Sequence, residues 1–139
     1  MRKLTVSMAA LLLFATVAAA QRITPGTGFN QTITLQPTKA GQDMEAEGSA
    51  TRKSSRDMEM FAVKVQAKVE DGTKLLVVVS TKESSFIMGT VDLFFGVGVF
   101  KMEVKPGDPS MPPLKDLVSV YVTDLTNVLL QGEFPPPPM

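Results

Sequence analysis

The chain has 139 residues with 14 basic and 14 acidic side chains, and it contains no cysteine and no histidine. These absences exclude disulfides, thiolate nucleophiles, Ser-His-Asp triads and metal sites built on imidazole or thiolate ligands. Most hydrolase and metalloenzyme templates therefore do not apply, and the length predicts one compact domain.

Residues 1–20 have the pattern of a secretory signal peptide. A basic start precedes a mostly apolar run at 4–17, and alanines at 18–20 supply the small residues that signal peptidase requires. The apolar run is shorter than the roughly 20 residues that span a bilayer, which favours cleavage over a membrane anchor. We therefore expect an exported protein, periplasmic or extracellular, that begins at Gln21 and has no stable membrane insertion.

The charge of the mature chain argues against nucleic acid as a partner. Without residues 1–20 the chain has 12 basic and 14 acidic residues, a formal charge of −2. Its one local basic cluster, formed by Arg52, Lys53 and Arg56, is diluted by Asp57 and Glu59. Binding to phosphate backbones requires a concentrated basic field, which this surface lacks.

Composition at the two ends predicts segments outside the folded domain. Residues 21–45 are rich in glycine, proline and glutamine, which predicts a flexible N-terminal arm with only a brief strand at 32–35. Four consecutive prolines in the segment 135–139 favour a polyproline II tail. The predicted β domain therefore covers residues 46–134.

Within that domain the dominant signal is period two. Apolar residues alternate with polar ones over 61–69, as in a strand with one buried face. The Asp-Gly pair at 71–72 predicts a turn, with residues 74–81 as the return strand of a hairpin. Because residues 75–79 are all apolar, this strand is expected either to be covered on both faces or to cross into a different sheet face.

The same alternation continues to the end of the domain. With a short opening strand near Ala50, it predicts about seven strands, the later ones at 86–93, 97–104, 118–123 and 128–134. Gly96 and Gly98 mark a turn or bulge. This spacing is typical of a single antiparallel β-sandwich or small barrel, held together by packing alone.

Several short motifs resemble a loose class of small secreted bacterial β domains, which share a DGT-type hairpin and a terminal G-x-F. The chain has Asp71-Gly72-Thr73 at the first and Gly132-Glu133-Phe134 at the second. The resemblance extends to Gly48-Ser49-Ala50, Phe61-Ala62-Val63, Gly89-Thr90-Val91, Pro113-Leu114 and Val118-Ser119-Val120. It implies an all-β fold and no particular activity, and the turn at 82–85 departs from the class.

The acidic residues form no recognised catalytic or calcium-binding spacing. The residues considered are Asp92, Glu103, Asp108, Asp116 and Asp124. The segment 124–127 is better explained as a turn in which side chains bond their own backbone. Serine nucleophile motifs are absent as well. A carboxylate-based hydrolase is therefore the least favoured alternative, and no cofactor is expected.

Methionine is the unusual soft ligand in this chain. Met58 and Met60 are two residues apart, so on a strand both thioethers would project from one face. Thioether sulfur without histidine or cysteine suits copper(I). Packing of irregular core space is the more common role of methionine, so copper(I) handling is kept only as an alternative.

Aromatic residues provide the candidates for partner contact. Phe94 and Phe95 are adjacent, so on a strand they face opposite ways and one is expected to be exposed. Tyr121 falls on the polar side of its strand. We therefore expect a non-enzymatic binding or structural module of the cell envelope or exterior. Its partner is expected to contact this aromatic region or an exposed strand edge.

Overall fold

The computed structural model describes residues 22–24, 28–109 and 112–136. The expected signal peptide at 1–20, Gln21 and the last three residues of the tail lie outside the described residues. The strands are β1 (Arg22–Thr24), β2 (Gly28–Pro37), β3 (Glu47–Ser54), β4 (Glu59–Gln66), β5 (Thr73–Ser80), β6 (Ser85–Leu93), β7 (Val97–Val104), β8 (Ser119–Thr123) and β9 (Val128–Glu133). A short helix, α1 (Lys39–Asp43), follows β2, and a 3-10 turn (Leu114–Asp116) precedes β8.

The strands form one antiparallel sheet that is nearly closed into a barrel. Neighbours follow the order β6-β5-β8-β9-β2-β3-β4-β7, and β1 adds to β2. The two outer strands of this order, β6 and β7, are connected by a short turn in which Phe94, directly after β6, bridges to Val97, the first residue of β7. This confirms the predicted all-β class and its antiparallel sandwich or small-barrel architecture.

Alternating residues of each strand fill the barrel. In β4 the buried residues are Phe61, Val63 and Val65, and β5 buries Leu75, Val77 and Val79 in the same way. Burying a side chain of this type stabilises the fold by about 1.5–3 kcal/mol. The chain has no cysteine, so this packed interior provides the cohesion that disulfides supply in many small exported domains.

The seven strands predicted within residues 46–134 are β3 to β9, but one pairing was predicted wrongly. The Asp-Gly turn forms, with Gly72 at a φ of 88°. It does not close a hairpin, because β4 pairs with β3 and β7 while β5 pairs with β6 and β8. Alternation identifies a strand, but it does not identify the neighbour of that strand.

In β5 the outward-facing Leu76 and Val78 are half-buried, so the outer face of this strand is covered only in part.

Residues 28–45, which composition assigned to an arm, contain β2 and α1. Strand β2 pairs with β3 over Phe29–Leu35 and with β9 at Gln36 and Pro37. Its inward positions include Gln31, which is buried, and this polar residue interrupts the apolar alternation. The predicted brief strand at 32–35 is therefore the apolar part of a longer one.

The connections between the strands lie at the two opposite ends of the barrel, which we call the hairpin end and the loop end. The hairpin end carries α1, the β4–β5 connection, the β6–β7 turn and the β8–β9 turn. The loop end carries the β3–β4 and β5–β6 turns, the β7–β8 connection and the residues after β9.

Within the described residues, neither α1 nor the 3-10 turn has the length and hydrophobicity that crossing a bilayer requires.

Candidate functional site

The β6–β7 turn exposes two adjacent phenylalanines at the hairpin end. Phe94 and Val97 exchange backbone hydrogen bonds of 3.0 and 3.1 Å, which leaves Phe95 and Gly96 as a two-residue turn. Phe94 is 54% exposed and Phe95 is 91% exposed. We call residues 94–97 the aromatic turn.

Phe95 occupies a backbone conformation that phenylalanine rarely adopts. Its φ is 56° and that of Gly96 is 78°, the two positive values that a type I′ hairpin turn requires. Asn, Asp and Gly favour this position, whereas a bulky side chain there is strained by about 1–2 kcal/mol. A large apolar side chain that is both strained and almost fully exposed contributes little to folding, which points to a role in contact with another molecule.

Neighbouring backbone and one carboxylate hold the aromatic turn in place. The backbone N–H of Phe95 donates to Oδ1 of Asp71 at 2.7 Å. The N–H of Ala67 donates to the carbonyl of Gly96 at 2.9 Å. The turn is thus fixed to the β4–β5 connection, and its exposed rings are presented on a preorganised support. Preorganisation lowers the entropic cost of binding.

The apolar surface extends from the turn along the outer face of β7. Phe94 and Val97 are bridged directly, so their side chains share a face of the sheet. Val97 is 38% exposed, and Val99, two residues further along the same face, is 59% exposed. The aromatic turn is therefore the end of a continuous apolar strip.

A second turn at the hairpin end exposes another large apolar residue. Leu125, in the β8–β9 turn, is 95% exposed. Oδ1 of Asp124 accepts the backbone N–H groups of Thr126 at 2.7 Å and Asn127 at 2.6 Å. These bonds to Asn127 and Thr126 lower the pKa of Asp124. The predicted side-chain-to-backbone turn is confirmed for Asp124, and it fixes the backbone on either side of Leu125.

Acidic side chains surround these apolar residues. Seven acidic and three basic residues lie in the connections of the hairpin end or within one residue of the strand ends there, a formal charge of −4. They are Asp43, Glu45, Glu47, Glu70, Asp71, Asp92 and Asp124, with Lys39, Lys68 and Lys74. Lys68 lies 3.1 Å from Glu45 and Lys74 lies 3.0 Å from Asp92, so two of the lysines are already paired.

The structure does not bring Tyr121 to the aromatic turn. Tyr121 is half-buried on the outer face of β8, opposite Val78. Val78 marks the position of Tyr121 along β5, and Thr73, which pairs with Leu93, marks the position of the aromatic turn. The two residues are five positions apart on this strand. That spacing corresponds to about 16 Å at the rise of a strand. Tyr121 and the aromatic turn therefore belong to different parts of the surface.

Met58 and Met60 are both half-buried near the start of β4. The backbone of Met58 bonds to Ser55 in the β3–β4 turn. Met60 lies opposite Lys53 and Glu103 in the sheet, so its immediate cross-strand neighbours supply no further thioether. Within the described residues there is also no group of three or more carboxylates that could hold a metal ion.

The acidic candidates are spread over both ends of the barrel. Asp92 and Glu103 pair with Lys74 and Lys101 at 3.0 and 3.2 Å. Asp108 lines a cleft of about 460 Å³ at the loop end. That cleft is also lined by Glu59, Phe86, Ile87 and Met88. Asp116 lines a neighbouring cleft of about 670 Å³.

Sequence reasoning missed Arg52, which it placed in a surface cluster. Arg52 is buried at the loop end, inside the barrel, with no exposed surface. Its Nε donates to Oε1 of Gln31 at 2.6 Å, and Nη1 donates to the carbonyls of Leu114 at 2.7 Å and Leu117 at 2.9 Å. Nη2 donates to the carbonyl of Pro135 at 2.6 Å. Burial lowers the pKa of Arg52 to about 10, so the guanidinium is protonated at neutral pH.

Comparisons with protein-family models, curated proteins and solved structures found no match to this chain. The resemblance to small secreted bacterial β domains therefore stays a prediction, and function is argued from the geometry of the chain itself.

Proposed function

We propose that this protein is an exported, non-enzymatic β-barrel module that binds a partner through the aromatic turn. The observation that carries the proposal is Phe95, which combines a φ of 56° with 91% exposure on a turn fixed by Asp71. Rigid exposed aromatics are common energetic anchors of protein interfaces. Export rests on the signal-peptide pattern of residues 1–20.

A substitution at position 95 separates binding from folding. Asn followed by Gly is the preferred pair for a type I′ turn, so Phe95→Asn relieves backbone strain. We expect the free energy of unfolding to rise by about 0.5–1 kcal/mol in urea titrations, while partner binding is lost. Asp71→Ala is expected to change stability in the opposite direction, because it removes the acceptor of the Phe95 N–H and so lowers the free energy of unfolding. If Phe95→Asn lowers stability, the proposed strain at position 95 is contradicted.

Site-specific photocrosslinking tests the proposed contact directly. A benzophenone side chain is placed at position 95 or, as the matched control, at the exposed Lys82 in the loop-end turn, in cells that produce the full chain. We expect a discrete adduct from position 95 that the control position does not give. Equal adducts from both positions, or none from position 95, would contradict binding through the aromatic turn.

A further inference from the structure

The chemistry of the partner can be inferred from what surrounds the aromatic turn. Phe95 in the β6–β7 turn and Leu125 in the β8–β9 turn are 91% and 95% exposed at the same end of the barrel. Two strand spacings, about 10 Å, separate β6 from β8 in the sheet order. The last residues of β8 and β6 pair with Leu76 and Thr73, three residues apart on β5, which adds an offset of about 10 Å along the strands. A single partner surface of ordinary size can therefore contact both side chains.

A carboxylate that accepts backbone N–H groups holds each turn, from the neighbouring β4–β5 connection in one case and from within the turn in the other. Asp71 holds Phe95, and Asp124 holds the two residues that follow Leu125. Each turn therefore holds the backbone that bears an exposed apolar residue in a defined position. Both apolar residues are thus presented on preorganised backbone, which lowers the entropic cost of contact with one partner.

Charge decides which kind of surface fits. The hairpin end has a formal charge of −4, and Asp43, Glu47 and Glu70 are exposed there. An anionic lipid surface would repel this end, whereas lysine and arginine side chains would be attracted to it. The apolar residues then require a pocket that excludes water, which a folded or folding polypeptide can supply.

We propose that the hairpin end docks onto a cationic polypeptide surface, with Phe95 and Leu125 inserted into apolar pockets rimmed by lysine and arginine. The inference rests on the proposed function and adds the chemical class of the partner. Acidic residues around the two anchors steer association with such a surface and disfavour acidic partners and anionic membranes.

A library of random dodecapeptides displayed on phage tests this inference with the protein recovered from cells that express the full chain. The library is first depleted of phage that bind the Phe94→Ser/Phe95→Asn variant. The remaining phage are then selected at low salt for binding to the wild type. We expect the enriched peptides to combine net positive charge with at least two large apolar residues. Their affinity is expected to fall at least about tenfold in Phe95→Asn and again at ~0.5 M salt, where screening shortens electrostatic range.

Matched charge variants locate the electrostatic contribution at one end of the barrel. The hairpin-end variant neutralises three exposed acids, Asp43→Asn, Glu47→Gln and Glu70→Gln. The loop-end control neutralises three others, Asp57→Asn, Glu83→Gln and Glu133→Gln. We expect the first variant to weaken binding of a selected peptide at least about fivefold and the control to leave binding unchanged.

The outcomes distinguish this inference from the proposed function. Peptides that depend on Phe95 but lack net positive charge would overturn the cationic partner and leave binding through the aromatic turn intact. Equal effects of the two charge variants would also overturn it. Cosedimentation with phosphatidylcholine and phosphatidylglycerol vesicles that is lost in Phe95→Asn would replace the polypeptide partner by a membrane. Failure to enrich any peptide that depends on Phe95, together with no crosslink from position 95, would overturn both proposals.

Discussion

The guanidinium of Arg52 lies inside the barrel with neutral hydrogen-bond partners among the described residues. One amide oxygen from Gln31 and three carbonyls surround it, and the rings of Phe134 and Phe29 lie 4.4 and 5.3 Å from its central carbon. A buried cation is tolerated when its donors are satisfied and aromatic faces stabilise its charge. Arg52 is thus a structural cross-link between β2, β3, the 3-10 turn and the chain after β9.

Replacing this residue should destabilise the fold strongly. In Arg52→Met the volume is largely kept, but the buried carbonyls of Leu114 and Leu117 and Oε1 of Gln31 lose their donors. Each unsatisfied buried group costs about 1–3 kcal/mol, so we expect the free energy of unfolding to fall by about 3 kcal/mol or more in urea titrations. Lys53→Met, at the exposed neighbouring position, should change stability by less than about 0.5 kcal/mol. Equal stability of the two variants would contradict the cross-link.

The carboxylate of Asp124 should make the β8–β9 turn sensitive to acid. Its pKa is lower in the folded protein than the ordinary 3.8, because the N–H groups of Asn127 and Thr126 stabilise the ionised form. The native state therefore binds fewer protons than the unfolded chain, and the stabilisation is present above 3.8 and lost as pH falls through the lowered pKa. We expect Asp124→Ala to be less stable than the wild type at neutral pH. In urea titrations this difference should shrink at acidic pH, and a difference that stays constant would contradict this account.

At the scale of the strands, the predictions succeeded where inward residues are apolar. Strand β4 directs Phe61, Val63 and Val65 inward, and its pattern is plain in the sequence. Strands β2 and β3 direct Gln31 and Arg52 inward, and each residue is buried because the other bonds to it. No one-dimensional pattern shows such a pair, which explains why β2 was predicted as a short strand in an arm.

The close approach of β6 and β7 depends on two glycines, Gly89 and Gly98, because a larger residue at either position would collide with the facing strand. A Cβ on Gly98 would lie 2.5 Å from the carbonyl oxygen of Asp92, and one on Gly89 would lie 2.4 Å from the ring of Phe100. Backbone cannot move aside as a ring can, so Gly98→Ala should cost about 1–3 kcal/mol and Gly89→Ala less. Thermal unfolding of both variants checks the order. A larger loss in Gly89→Ala would show that Phe100 is the more constrained neighbour.

At the scale of the whole molecule, the two ends of the barrel carry different chemistry. The loop end buries Arg52 among neutral hydrogen-bond partners, whereas the hairpin end exposes Phe95 and Leu125 among acidic side chains. The sequence predicted Phe94 and Phe95 as contact candidates because adjacent residues on a strand face opposite ways, so one of the two rings was expected to be exposed. It did not indicate Leu125, because a single leucine in a turn forms no recognisable pattern. The sequence also did not show that the two turns lie at one end of the barrel, because the strand order depends on long-range pairing.

The network around Arg52 also connects the chain after β9 to β3, two strands away in the sheet order, and a double-mutant cycle can measure this coupling. Arg52 on β3 donates to the carbonyl of Pro135, and Nε2 of Gln31 donates to that of Pro136 at 3.4 Å. Truncation after Phe134 should therefore lower the free energy of unfolding by about 1–3 kcal/mol in the wild type. In the Arg52→Met background the same truncation should cost clearly less, because the principal donor is already gone. Additive losses in urea titrations would show that Pro135 and Pro136 stabilise the barrel by packing, independently of the guanidinium.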